Sequence, residues 1–544
     1  MLRPIALFFC HFYIVSVYGK EVSMPEVDVL PEDMPVNMPS GNNASAEYSA
    51  PVKKEPLYPD SYGIIGVLKG RREILTATRY ITPDNVADEL RKARGVFEAN
   101  RSEIRYLWNY YRGQQPILGR VKDVRPEICA RIVENHADEV VSFKTGYNFG
   151  EPYVLSSRSE DDCSEAIQQL NAWNAENDHD ALDMELGTWM FVCGLGYKIV
   201  LPTNESIDQD PDITSPYRIA VLSPMETFVV YYNGIQKIPV MGVKVIAVEN
   251  EVGTTENLYC VYTKDRYYEI KLDTVTGNEI LNSRVNPLGM IPIVEYPLNL
   301  SRRGALDPII PLMDALNELA SNRLDGVSQF IQSLMIFRNV DVSSEDVDKL
   351  SRMGAIKYKD TDPSSPGEVR YLTAELNQEG SQTLKDDLYE SIVIISGLPN
   401  RNGGSSTSDN VGAVIYRDGW SAAETKARET DKFYERAEKN LLKVILKICR
   451  ETKDFDVHLA NIRVTPTRKN YENSQTKSQV LTTMLGNEKI APRLAFTYSG
   501  MFPDPEAAWK ESMEYYEKNA TSQAKETQEE KEDGDAKKTS DSVS

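Results

Sequence analysis

The feature that most narrows the fold is a stretch of helical periodicity in the second half of the chain. From Asp307-Pro308 to about Gln332 the apolar residues are Ile309, Leu312/Met313, Leu316, Leu319/Ala320, Leu324, Val327 and Phe330/Ile331, with Leu334 just beyond. Their steps alternate between three and four, which places them on one side of an α-helix about 39 Å long. Asp314, Glu318, Ser321, Asp325, Ser328 and Gln332 recur at the same steps on the opposite side, and no lysine interrupts them. A rod that is greasy on one side and acidic and hydroxylated on the other needs a different environment for each face.

A second rod spans Gln382 to Ser396, with Leu384, Leu388, Ile392 and Ile395 on one face and Asp386, Asp387, Glu390 and Ser391 off it. Between the rods, two strand-like runs (Ala355-Ile356-Lys357-Tyr358 and Val369-Arg370-Tyr371-Leu372) flank a turn-rich stretch from Asp362 to Gly367. This pattern predicts a helical hairpin tipped by a small α/β insert. Residues 398–410 are almost free of apolar side chains, carry Gly403-Gly404 and are expected to be mobile. A long helix over 411–450 follows, rich in bases such as Lys426, Arg428, Lys432, Arg436, Lys439 and Lys443. A last helical portion from about Glu472 to Lys518 precedes a low-complexity tail, 519–544, expected to be disordered.

Upstream, Thr82-Pro83-Asp84 reads as a helix start with the Thr82 hydroxyl as cap, leading into Val86, Leu90, Ala93, Phe97, Ile104, Leu107 and Tyr111. Further helices are expected over Pro126–Thr145 and Ala181–Cys193, the latter closed by Gly194. Asp178-His179-Asp180, after the polar run Asn171 to Asn177, is expected to be a solvated helix end or loop. Short β-branched or aromatic runs at Gly196–Ile199, Arg218–Leu222, Thr227–Tyr232, Val240–Val248, Leu258–Thr263 and Tyr267–Leu272 predict a mixed sheet, followed by an extended Pro287–Val294. The fold class is therefore α+β, with 80–300 as one domain.

Residues 1–79 are expected to lie outside the fold. Arg3 and the apolar stretch Pro4–Val17 have the start and length of a signal peptide, and Glu21–Pro59 reads as disorder. Initiation at Met24 or later is the competing reading. No other run approaches about 18 apolar residues, so no membrane span is expected.

The charge balance, 61 Lys+Arg against 82 Asp+Glu for a net −21, excludes a protein that coats nucleic acid through phosphate contacts. It leaves room for one that touches nucleic acid without gripping it. Catalytic and metal patterns are thin. Six scattered cysteines form no CxxC pair and read as buried thiols, and the four histidines show no ligand spacing. Gly194-Leu195-Gly196 lacks the length and the Ser/Thr of a phosphate loop, Gly63 to Gly70 follows no strand, and Asp456-x-His458 reads as a surface pair. No catalytic residue, metal or cofactor is expected.

Several segments, in order, carry a family likeness. They are Tyr110-Tyr111-Arg112-Gly113-Gln114-Gln115-Pro116-Ile117, Ile132-Val133-Glu134-Asn135, and Thr145 to Pro152 with its Gly146 and Gly150. Then come Gly289-Met290-Ile291-Pro292-Ile293-Val294-Glu295-Tyr296, Asp307 to Asn317, and Ser396-Gly397-Leu398-Pro399-Asn400 with Gly412 to Tyr416. From about Tyr80 to Trp509 the chain resembles the portal proteins of tailed bacteriophages, in the branch of siphophages of Gram-positive hosts.

The resemblance implies a ring, usually a dodecamer, at one capsid vertex, with wing, stem, clip and crown. Residues 80–300 would be wing, 301–338 and 379–397 the stem helices, 339–378 the clip, 398–410 the tunnel loop, 411–450 the long wing helix, and 451–518 wing end and crown. Asp314, Glu318, Asp325, Asp386, Asp387 and Glu390 would line the channel and repel phosphate. Asn400, Arg401, Asn402, Gly403, Gly404, Ser405 and Ser406 would form the tunnel loop. Implied partners are double-stranded DNA in transit, the terminase large subunit, major capsid and scaffolding proteins and a head-tail adaptor, with no membrane. The implied location is the virion, and the host cytoplasm during assembly. Two other classes compete: a secreted or envelope-anchored interaction protein, motivated by Arg3 to Val17, and a metal-dependent nuclease, motivated only by abundant carboxylates.

Overall fold

The computed structural model describes residues 68–518 apart from 69, 124, 159–163, 204–213, 250–254, 273–277, 332–333, 339, 342–358, 361–367, 373–377, 400–418, 454, 456, 469–473 and 503–504. The expectations for the N-terminal apolar stretch, Ala355–Tyr358, the loop from Asn400, residues 411–418, Asp456 and the tail 519–544 lie outside these residues. The folded chain starts before the expected Tyr80: Leu68 and Arg71 are buried, and β1 (Ile74–Thr76) lies parallel to β5 (Thr227–Tyr232).

Helix α1 spans Val86–Tyr111. Thr82 does not cap it through its hydroxyl. The Asn85 side chain accepts the Thr82 N–H at 2.8 Å and the Thr82 carbonyl accepts the Val86 N–H at 3.0 Å, so the Thr-Pro-Asp triplet is a turn ahead of the helix. The first half of α1 packs Val86, Leu90, Ala93 and Phe97 onto the six-stranded sheet β1-β5-β6-β7-β8-β9, where β6 is Pro239–Glu249, β7 Thr255–Tyr262, β8 Arg266–Leu272 and β9 Asn278–Val285. Its second half, with Ile104, Leu107 and Tyr110, enters the larger core instead. One unbroken apolar stripe thus ties two cores together.

The predicted helix Pro126–Thr145 is wrong in its first half: α2 is His136–Phe149, and the chain before it carries no helix. The polar run from Asn171 up to Glu176 belongs to α3 (Ser164–Glu176), which buries Ile167, Leu170 and Trp173, and Asn177 follows it directly. The Asn171 carboxamide bonds both the N–H and the carbonyl of Leu155 in β2 (Tyr153–Ser157), at 3.1 and 2.9 Å. Asn177 likewise serves Tyr217 and Ile219 of β4 (Tyr217–Leu222). These asparagines complete strand edges, which explains their density along and just after a helix that buries one face.

Helix α4 (His179–Cys193) ends as expected on Gly194, whose φ of +82° suits a residue without a Cβ, and β3 (Leu195–Pro202) follows at once. β3 is the centre of the sheet β10-β3-β4, with β10 at Ile293–Pro297. The long helix α7 (Trp420–Thr452) covers this sheet, burying Tyr434, Leu441, Leu442 and Ile445. β15 (Ile462–Pro466) pairs antiparallel with β2. The predicted last helix, from about Glu472 to Lys518, is three: α8 (Ser474–Leu485), α9 (Pro492–Ser499) and α10 (505–518). Pro492 and Gly500 supply the breaks around α9.

His179, expected at a solvated end, is buried where α4, β3 and α7 meet. Its Nδ1 lies 3.2 Å from Asp183 and its Nε2 3.3 Å from Glu438, while the Lys198 ammonium is 2.5 Å from Asp183 and 3.7 Å from Glu438. Tyr434 and Tyr296 donate to Asp183 and Glu438, each at 2.7 Å. Two carboxylates, one lysine and a protonated imidazole balance in charge, and the ammonium fills the space a cation would take. Burial alone would lower the imidazole's affinity for a proton, but the carboxylates, Asp183 foremost, push its pKa up to about 9.

Since the folded value exceeds the unfolded one, this stabilisation is present below about pH 6.5 and is lost as pH climbs through about 9. Chemical unfolding followed from pH 6.5 to 10 should show stability falling across that window. At pH 7, Glu438→Gln should cost about 3–5 kcal/mol by leaving buried cations underpaired.

Candidate functional site

The candidate site is the helical hairpin formed by α5 (Ile310–Ile331) and α6 (Gln378–Ser396). Its root is fixed by Asp307, which accepts the Gly304 N–H at 2.7 Å and pairs with Arg71 at 2.6 Å. Arg71 also lies 3.2 Å from Glu103 of α1, and all these side chains are buried. Arg71 belongs to the segment that was expected to lie outside the fold.

The polar face of α5 does not meet solvent along its length. Residues 130–134 run extended and antiparallel to it. Asn317 Oδ1 accepts the Glu134 N–H at 2.8 Å, Ser321 Oγ the Ile132 N–H at 2.9 Å, and Asp325 Oδ1 the Ala130 N–H at 2.7 Å. Four helical residues rise about 6.0 Å and two extended residues about 6.6 Å, so side chains at i, i+4 and i+8 match alternate backbone donors of a strand. This ladder is why 130–134 is not helical: the amides of Ala130, Ile132 and Glu134 bond to α5 side chains instead of to carbonyls one turn back. The strap is secured further by Asn317 Nδ2 donating to Gln115 at 2.5 Å, by Gln115 donating to Asn135 at 2.9 Å, and by Asn135 donating to the Tyr111 carbonyl at 3.0 Å.

Of the six carboxylates expected to line a channel, two are held by groups of other elements, and a third, Asp386, accepts a hydrogen bond from Gln382 of its own helix at 2.7 Å. Asp325 is 3% exposed and pairs with Lys122 at 2.6 Å and Arg120 at 3.0 Å. Burial would raise its pKa, but the Lys122 hydrogen bond and the Ala130 amide hold it below the usual carboxylate range. Asp314 is half-buried and accepts the Tyr110 hydroxyl at 2.8 Å; burial pushes its pKa up to about 6. Neither offers a free anionic surface. Glu318, Asp386, Asp387 and Glu390 are exposed. The seven expected loop residues, Asn400 to Ser406, lie outside the described residues.

Helix α6 is clamped along its other side. Lys385 pairs with Glu134 at 2.7 Å, and Tyr389 donates to Glu139 at 3.1 Å beside the His136 ring. Those contacts, one turn apart, fix the rotation of α6 and turn Asp386, Asp387 and Glu390 outward. Arg323 donates to Gln382 at 2.9 Å across the hairpin. Leu324 and Val327 on α5 and Leu384, Ile394 and Ile395 on α6 are left exposed, up to 66% for Ile394. At the tip, β11 (Leu334–Arg338) pairs antiparallel with β14 (Glu368–Leu372), and β12 (Val340–Asp341) with β13 (Lys359–Asp360). Leu334, which continues the apolar spacing of α5, is a strand residue.

Removing a ladder acceptor strands a backbone N–H. Asn317→Ala and Ser321→Ala should each lower stability by about 1–3 kcal/mol in chemical unfolding and should speed hydrogen exchange at Glu134 and Ile132 respectively.

Among the described residues no helix is long and apolar enough to cross a membrane, and no group of three His, Cys, Asp or Glu side chains could hold a metal ion. No curated protein matches the chain. The family model described as phage portal protein, SPP1 Gp6-like, matches residues 92–537. With most of its length in that match, the chain belongs to the phage portal protein family.

Proposed function

We propose that this member of the phage portal family assembles as a ring that serves as a conduit at one capsid vertex, through which double-stranded DNA is packaged and later ejected.

 The subunits contact one another heterologously, one surface of each meeting a different surface of the next, in a closed ring of twelve. The exposed apolar residues of the hairpin, Leu324, Val327, Leu384, Ile394 and Ile395, support this reading, because they are the residues a neighbouring protomer would cover. In this arrangement residues 80–300 form the wing, α5 and α6 the stem, 339–378 the clip, 398–410 the tunnel loop, and 451–518 the wing end and crown. The terminase large subunit, capsid and scaffolding proteins and a head-tail adaptor dock on the ring, which is a virion component assembled in the host cytoplasm.

The observation that carries the conduit reading is the outward stripe of Asp386, Asp387 and Glu390, joined by Glu318 of α5, with the opposite side of α6 held to its own wing by Lys385 and Tyr389. A duplex in transit must not be held. Basic side chains would attract its phosphates, whereas carboxylates repeated around a bore repel them from all sides and centre the duplex. Salt screens this repulsion beyond about 8–10 Å, so it acts on a duplex that fills the bore.

Negative-stain microscopy of the purified protein should show rings with a central hole; monomers and dimers alone, across concentration and salt, would contradict the reading. Replacing Asp386, Asp387 and Glu390 together by Lys should leave the ring intact and convert it to one that retains duplex DNA at low salt. That retention should fall steeply between 50 and 200 mM salt, roughly as counterion release requires.

A further inference from the structure

A second surface lies where the C-terminal helices meet the body of the protomer. A cavity of about 1270 Å³ opens there between the two-stranded sheet β2–β15, the first half of α7 and the segment joining α9 to α10. It exceeds the roughly 300–1,000 Å³ of small-molecule pockets and has room for a length of peptide. Four carboxylates line it, and each is matched. Glu424 pairs with Arg428 at 2.8 Å, Asp431 with Arg468 at 2.6 Å, Glu435 with Lys432 at 3.1 Å and Glu506 with Arg493 at 2.7 Å. The β2–β15 wall adds further positive charge. The Ser156 and Thr465 hydroxyls meet at 3.2 Å on one face of that sheet. Arg463, opposite Ser156 in the register, and Arg158, two residues beyond Ser156, belong to the same face and line the cavity. Both arginines are exposed, and neither has a carboxylate partner among the described residues. In a chain of net charge −21 this cleft is a local excess of bases.

The chain itself supplies a segment of matching charge. Beyond Lys518, the run 526–535 carries Glu526, Glu529, Glu530, Glu532, Asp533 and Asp535 against one base, Lys531. Its tether starts beside the cleft. Pro505 and Glu506, in the first turn of α10, line the cavity, and α10 then rises about 21 Å over residues 505–518. The stretch from Lys518 to Glu526 spans up to about 26 Å when extended, enough to bring the run back along the length of α10. We infer that the acidic run 526–535 docks in this cleft, its carboxylates on Arg463 and Arg158, and holds the C-terminal helices against β15 and α7. A guanidinium offers paired donors that match a carboxylate, so two arginines can fix an extended acidic segment. The tether favours this occupant over a separate polyanion: a short flexible linker holds the run at about millimolar effective concentration, where weak contacts suffice.

The test uses full-length protein and a labelled synthetic peptide of residues 519–544. A host chain carrying Glu529→Gln, Glu530→Gln, Glu532→Gln and Asp533→Asn leaves the cleft open to the added peptide. In fluorescence anisotropy at low salt that host should bind the peptide saturably. The wild type, whose own tail competes, should bind it about tenfold more weakly. Arg463→Glu in the host should weaken binding about tenfold and Arg158→Glu should act in the same direction. Lys443→Glu, elsewhere on α7, should leave binding unchanged. Glu160, Asp161 and Asp162 follow Arg158 outside the described residues, so Arg463→Glu is the sharper variant. Carbodiimide treatment of wild type mixed with isotope-labelled wild type should join tail carboxylates to Lys432 or Lys477 within one chain. These readouts are the same for a single chain and for a ring, so they stand apart from the conduit reading. No saturable binding, equal binding by wild type and neutralised host, or no effect of Arg463→Glu would overturn the inference. Cross-links found only between light and heavy chains, or a duplex oligonucleotide that binds through Arg463 where the peptide does not, would overturn it also.

Discussion

Three hydrogen bonds from a strap to a helix organise the hairpin on which the proposed function rests. Asn317, Ser321 and Asp325 would be an unremarkable polar stripe if they faced water. By accepting the amides of Glu134, Ile132 and Ala130 they join the hairpin to the body of the protomer. The side chains act as a substitute sheet edge: the strap's alternate N–H groups find acceptors at the spacing a strand would provide. Gln115 and Asn135 extend the same network to the end of α1, so the orientation of the hairpin is coupled to a helix that spans both cores.

This arrangement divides the acidic residues into two populations. Asp307, Asp325, Asp183 and Glu438 are buried and matched to Arg71, Lys122, Lys198 and His179, where they fix the relation between elements. Glu318, Asp386, Asp387 and Glu390 are exposed and, in the proposed ring, would supply field instead of structure. A sequence with a net charge of −21 does not distinguish the two. The distinction matters mechanistically, because only unpaired carboxylates repel a polyanion, and paired ones present almost no net charge at a distance.

Much of the fold was legible. The two hairpin helices, the glycine that closes α4 and all six expected strands of the middle region stand close to where periodicity put them. What was misread has a common cause. Ile128 and Ile132 fit a helical stripe, but nothing in local spacing reveals that the amides of Ala130, Ile132 and Glu134 are claimed by residues nearly two hundred positions away. Asn171 and Asn177 look like solvent-facing polar residues until the strand edges they satisfy are in view. Arg71 and His179 sit in segments whose composition suggests exposure, and their burial depends on carboxylates of which Glu103, Asp307 and Glu438 come from other elements and Asp183 from the next turn of α4. Asp325 was placed on the correct helix face, but whether a face meets a lumen or its own chain is a tertiary fact. One local signal was available: Asn317, Ser321 and Asp325, at i, i+4 and i+8, are spaced to hold a strand.

The most direct test is a side-chain-resolution density map of the assembled ring. If the hairpin works as described, Asp386, Asp387 and Glu390 will point into the bore while residues 130–134 stay bonded to Asn317, Ser321 and Asp325. A map in which that strap is released and the face carrying Asn317, Ser321 and Asp325 lines the axis would contradict it.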